Sequence, residues 1–171
     1  MKWVGFLVVA LACAAASFFA VIHIAPRALM HVAMTRVGAG VEGWRHAPRV
    51  SETSRAVVRP SPDLAYSSCV YDVGDGAVLI TMAPSTDYWS LSFYQANTDN
   101  FFVVNDRAAP RGVRVALVRA GAAHPVGDFE VVETPSARGI ALQRRLAPNA
   151  AAFAAADAAR RSDVCAALIQ N

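Results

Sequence analysis

Lysine is nearly missing from this chain. Lys2 is the only one, and every other basic residue is an arginine. Those arginines form no compact run, and the formal charge is only +3. The electrostatic footprint of a nucleic-acid binder is therefore absent, and no nucleic-acid partner is expected. Catalytic signatures are absent too: there is no Gly-x-Ser-x-Gly, no glycine-rich phosphate loop and no His-Glu-x-x-His. Cysteine is sparse, and no Cys-x-x-Cys unit occurs, so neither a zinc site nor any other metal or cofactor is expected. Of the histidines, only His124 falls in the later part of the chain, in the loop AAHPVGD, where it reads as an exposed loop residue.

Charge of either sign is missing from Trp3 to Ala25, and that absence is the most informative one. As a helix, WVGFLVVALACAAASFFAVIHIA reaches roughly 35 Å, enough for the hydrocarbon core of a bilayer. The expectation is an uncleaved transmembrane anchor over residues 1–26, touching membrane lipid through residues 3–25. A cleaved signal peptide is the alternative: Lys2 and the small residues around Cys13 suit it, whereas the apolar run on to Ile22 is long for a signal core. Flanking arginines do not fix orientation, because long domains translocate largely regardless of them.

Residues 27–59 read as a short helix, Pro26–Val37, followed by a linker rich in Gly and Pro. Residues 60–171 then make one ordinary domain. Its charges are segregated: Asp63, Asp72, Asp75, Asp87, Asp99 and Asp106 fall between Pro60 and Asp106 with no basic residue among them. Interleaved acidic and basic strands explain this economically. An acidic mouth that binds a cation is the sharper reading.

Strand signals run from Ala65 to Leu146. Ala65–Val73 and Ala77–Ala83 flank Gly74-Asp75-Gly76, a hairpin cue. Tyr88–Tyr94 alternates, with Trp89, Leu91 and Phe93 on one face and Ser90 and Ser92 on the other. Phe101–Val104 is apolar on both faces, as a central strand would be. Val113–Leu117, Phe129–Val132 and Gly139–Leu146 complete a mainly β domain, an antiparallel sandwich or barrel. Pro148-Asn149 caps an Ala-rich helix expected over Ala150–Ile169. In an oxidising compartment Cys69 in a strand and Cys165 in that helix are candidates for a disulfide; the bland alternative is two unrelated buried thiols.

The segment Asn97-Thr98-Asp99-Asn100-Phe101-Phe102-Val103-Val104-Asn105-Asp106-Arg107 places Asn and Asp at both ends of an apolar strand. These side chains bond their own backbone and fix tight turns. Arg107 is then available to pair with Asp106, Asp99 or Asp72. A polar rim that binds a ligand or a partner is the functional alternative.

The string SPDLAYSSCVYDVGDGAVLITMAPSTDYWSLSFYQANTDNFFVVNDR resembles the core of the bacterial family of domain of unknown function 1254, over about Arg49 to Gly127. The resemblance lies in a strand bearing tyrosine and aspartate before a turn, a Tyr-Trp strand and a Thr-Asp-Asn-Phe turn. It implies a β-sandwich-like fold. Larger relatives join this domain to a second one, domain of unknown function 1214; the resemblance implies that a companion membrane-anchored chain supplies it here. The family brings no agreed catalytic residues. Asp72, Tyr88, Trp89, Asn97, Asp99, Asn100 and Arg107 match its pattern and are the binding candidates.

Two functions are therefore expected in order. The first is a non-enzymatic binding or accessory module, held by one span in the bacterial inner membrane with its domain on the periplasmic side of the cell envelope. The second is a hydrolase or metal-dependent enzyme using Asp72, Asp99 and Asp106.

Overall fold

A computed structural model describes residues 2–38, 43–55 and 59–169. The first element, α1, is one helix over Lys2–Gly38. It extends well beyond the apolar run, so the short helix expected after Pro26 is the continuation of the apolar helix. Pro26 lies inside α1 rather than at a start. An interior proline removes one backbone donor. Beside that gap, the Arg27 guanidinium donates to the His23 carbonyl at 2.7 Å. Within Trp3–Val37 the mean hydropathy reaches 2.5, and the helix is long and apolar enough to cross a membrane.

Two sheets pack face to face. The first has the order β1 (Arg45–His46), β2 (Leu64–Asp72), β8 (Arg138–Leu146), β4 (Trp89–Gln95) and β5 (Asn100–Asn105). The second has the order β7 (Glu130–Thr134), β6 (Val113–Arg119), β3 (Val78–Met82) and β9 (Cys165–Ala167). All pairings are antiparallel except β6 with β7, which is parallel. The sandwich reading therefore holds, with one parallel edge.

The core follows from the period of two. Trp89, Leu91 and Phe93 from β4 meet Ile80 of β3 and Val115 and Leu117 of β6, all fully buried. Each such side chain contributes about 1.5–3 kcal/mol of transfer free energy. The Phe93 ring stacks on Phe102 with centroids 5.1 Å apart. Cys69 of β2 and Cys165 of β9 are joined by a disulfide, linking the two sheets across a sequence separation of 96.

Three expectations about the strands need correction. Gly74-Asp75-Gly76 does not close a hairpin: β2 pairs with β1 and β8, while β3 pairs with β6 and β9. The turn instead carries the chain from one sheet to the other, so that Val73 and Val78 both reach the core. The strand around Phe101–Val104 is an edge, not a centre, and Val103 is 57% exposed. Ser90 and Ser92, on the face opposite Trp89, are buried rather than solvated, and Arg144 reaches across to Ser92 Oγ.

The last helix, α2, covers only Ala150–Arg160. Its Asn149 cap is as expected, accepting from Ala152 N at 2.9 Å. The chain then leaves the helix because Asp163 and Cys165 have partners in the sandwich that a continued helix could not reach. Cys165 consequently lies in a strand, opposite Ile80.

Candidate functional site

The candidate residues matching the family pattern fall at opposite ends of the first sheet. Along β4, Trp89 and Gln95 are about 20 Å apart at the usual strand rise. At one end, Asp72 closes β2, accepts from Gly74 N at 2.9 Å and pairs with Arg138 Nε at 3.2 Å. Near it is the β4–β5 turn. There Asn97 Nδ2 donates to Asp99 Oδ2 at 2.7 Å, and Asp99 N donates back to Asn97 Oδ1 at 3.1 Å. Thr98 in between has a positive φ of 75°. Asn100 Nδ2 donates to the Phe93 carbonyl at 3.1 Å, where the β4–β5 register shifts. Turn formation thus occupies the side-chain amide of Asn97 and Oδ2 of Asp99.

At the other end stand Tyr88, Trp89 and Arg107. Tyr88 is 44% exposed, and its carbonyl accepts from Leu146 N at 2.9 Å. Trp89 is fully buried in the core. Arg107 is exposed, and its backbone N–H is held by Asn105 Oδ1 at 3.1 Å. Of the three partners that the sequence offered to Arg107 (Asp106, Asp99 and Asp72), Asp72 is taken by Arg138 instead.

Asp72, Asp99 and Asp106 accordingly do not converge. No group of three or more His, Cys, Asp and Glu with metal-holding geometry occurs among the described residues. The acidic mouth does not form. His124 is exposed, as expected, and hydrogen-bonds Glu133 at 2.9 Å. That bond is the main cause holding the Glu133 carboxyl below its usual range.

A buried polar cluster was not anticipated. Arg145 Nη2 donates to Asp163 Oδ2 at 2.9 Å and to the Ala83 carbonyl at 3.0 Å. Asp163 Oδ1 accepts from Ala83 N at 2.6 Å, and Gln143 Nε2 donates to Asp163 Oδ2. Gln143 and Arg145 share strand parity with Gly139 and Ala141, so the pattern of β8 already placed both on the core face. The cluster joins β8, the end of β3 and the segment before β9. A second one surrounds Arg160. Its guanidinium donates to the Tyr66 carbonyl at 2.7 Å, to the Ala47 carbonyl at 2.8 Å and to Asp157 Oδ1, over the Phe153 ring. Those bonds, and others from Arg161, keep the Asp157 carboxyl below its usual range. His46, bonded to Ser67 Oγ at 2.9 Å, is pulled below the usual imidazole value by burial first and by the Arg160 charge second.

The outer face of the first sheet carries a concavity. Met30 and Met34 of α1 are buried against Ile140 of β8, with Ala33, Val37, Val70 and Tyr94 around them. Alongside this contact lies a groove of about 750 Å³ between α1 and the sheet. Its lining includes Arg36, Arg59 and Arg144 but no acidic side chain among the described residues.

These features define a β-sandwich domain carrying an apolar helix of membrane-spanning length on one face. The chain belongs to the family described as protein of unknown function (DUF1254), whose model matches residues 42–166. Among solved structures it is similar to the VPA0106 protein from Vibrio parahaemolyticus, with a TM-score of 0.66 and 16% identity over 86% of this chain. It is also similar to an uncharacterized protein from Burkholderia cenocepacia, at a TM-score of 0.44 and 15% identity over 61% of this chain. It covers 35% and 32% of those chains, so it spans about a third of their length. No curated protein matches it.

Proposed function

We propose that this chain is a membrane-anchored, non-enzymatic accessory module of the bacterial envelope. Its sandwich sits on the periplasmic side of the inner membrane and acts with a companion chain. The observation that carries the reading is the continuity of α1. The same helix that is long enough to cross a bilayer goes on to bury Met30 and Met34 against the sandwich. The Cys69–Cys165 bond supports an oxidising compartment. The companion is supported by the family resemblance, in which larger members join this domain to a second one.

The test has two arms on separate samples: protease treatment of cells before and after the outer membrane is opened, and purification of the full chain from untreated native membranes in mild detergent. Expected are cleavage of the sandwich once the outer membrane is opened, and a stoichiometric second chain bearing the family's other domain. A sandwich that stays protected until the inner membrane is breached overturns the periplasmic assignment. A chain that elutes alone overturns the companion.

A further inference from the structure

We infer that the groove between α1 and the outer face of the first sheet holds one acyl chain of a phospholipid drawn from the surrounding bilayer, with the lipid phosphate on Arg144 and Arg59. The inference deepens the membrane-anchored reading and rests on it.

The apolar walls come from two elements. Met30, Ala33 and Val37 of α1 face Ile140 and Leu142 of β8, and the groove volume of about 750 Å³ falls within the range of small-ligand sites. Its position selects the ligand. With residues 3–25 in the hydrocarbon core, Leu29 at the groove entrance stands about 6 Å past the core boundary, at headgroup depth. Leu29 is 67% exposed and stacks above Ala25 and Ile22 on one face of the helix, so an acyl chain reaches the groove along that apolar face while Arg27 and His23 lie off it.

Charge selects the headgroup. Arginine is the only charged residue type lining the groove among the described residues. Among the described residues Arg144 has no carboxylate partner, and its guanidinium bonds Ser92 Oγ and Tyr94 Oη, each at 3.3 Å. A phosphate accepts the bidentate donation that those hydroxyls cannot, and basic pockets at a membrane surface suit anionic lipid. A second copy of this chain is the less fitting occupant, because it would bring its own arginines against these.

The test reconstitutes the full chain in vesicles of phosphatidylglycerol and phosphatidylcholine containing phosphatidylglycerol photoactivatable on its acyl chain. Cross-links should fall on peptides carrying Ile140 and Leu142 as well as on residues 3–25. Leu142→Trp, which fills the groove, should lower labelling of those β8 peptides by at least about tenfold while labelling of residues 3–25 persists. Arg144→Gln should keep the fold and reduce the preference for phosphatidylglycerol over an equally reactive phosphatidylcholine by about threefold to tenfold. Cross-links confined to residues 3–25 overturn the inference and leave the anchor standing. No labelling anywhere, with the chain stripped from vesicles at alkaline pH, overturns both. A dimer that Leu142→Trp converts to monomer, without β8 labelling, assigns the groove to a second copy and overturns it as well.

Discussion

The Arg145 guanidinium lies 2.9 Å from the Asp163 carboxylate, and the two side chains are 2% and 0% exposed. A charge pair so far from water has to be matched on both sides. Arg145→Met leaves Asp163 with only Gln143 and the Ala83 amide, and should cost about 3–5 kcal/mol in urea denaturation. The double variant Arg145→Met with Asp163→Leu should recover most of that loss, since apolar replacement of both partners is close to neutral. A double variant no better than the single would show that the pair is not the unit.

Reducing the disulfide should lower stability by about 4 kcal/mol, because it closes a loop of nearly a hundred residues in the unfolded chain. The measurement compares denaturation with and without reductant, with Cys69→Ala/Cys165→Ala as the reference. That variant should match the reduced protein and ignore reductant.

How much of this was readable beforehand can be argued from single residues. The alternation of Trp89, Leu91 and Phe93 with Ser90 and Ser92 set strand and core face correctly, because side-chain direction is local. Which strand lies beside which is not local. Gly74-Asp75-Gly76 forms as good a turn between sheets as within one, and the apolar strand Phe101–Val104 sits at an edge. The end of α2 was decided by Asp163 and Cys165, whose partners Arg145 and Cys69 are remote in sequence. The candidate residues were legible as turn formers; that they occupy two separate ends depended on the register of β4 against β5 and β8. The groove needed α1 docked onto the sheet, which no pattern along either element announces.

Acid should destabilise the protein in two stages. His46 has a folded pKa below its ordinary 6.5, so its contribution is complete above that value and is lost as pH falls below it. Asp157 also has a folded pKa below its ordinary value, 3.8; its contribution is present above 3.8 and lost as pH falls through the lower folded value. His46→Gln should flatten the stability profile as pH falls below 6.5, and Asp157→Asn only the part below 3.8. A profile unchanged by His46→Gln would show that the imidazole is not the group being titrated.

Arg160 and Arg161 both reach Asp157, but only Arg160 also holds the Tyr66 and Ala47 carbonyls. Arg160→Ala should cost about 3–5 kcal/mol and free the Arg45–His46 strand to hydrogen exchange. Arg161→Ala, at an exposed pair, should cost about 1 kcal/mol or less. Equal losses would contradict the bridging role.

Gly139 sits where β8 passes β4 and the Tyr71 ring. A Cβ there would stand 2.1 Å from the Tyr94 carbonyl and 2.2 Å from Tyr71 Oη. Gly139→Ala should therefore cost at least about 2 kcal/mol, by calorimetry or denaturant. Adding Tyr71→Phe should return only part of it, since the Tyr94 carbonyl is backbone and stays in place.

The burial of Met30 and Met34 against Ile140 has a kinetic consequence. A sandwich hung on a flexible leader would sample a hemisphere and meet partners at any angle. One seated on the helix that carries it has no slack to do so. Once that helix crosses a bilayer, the same sheet edges keep a constant height and tilt, and encounters become a search in two dimensions. A partner confined to the same plane arrives already oriented, while one arriving from bulk solution can approach only the faces turned away from the lipid.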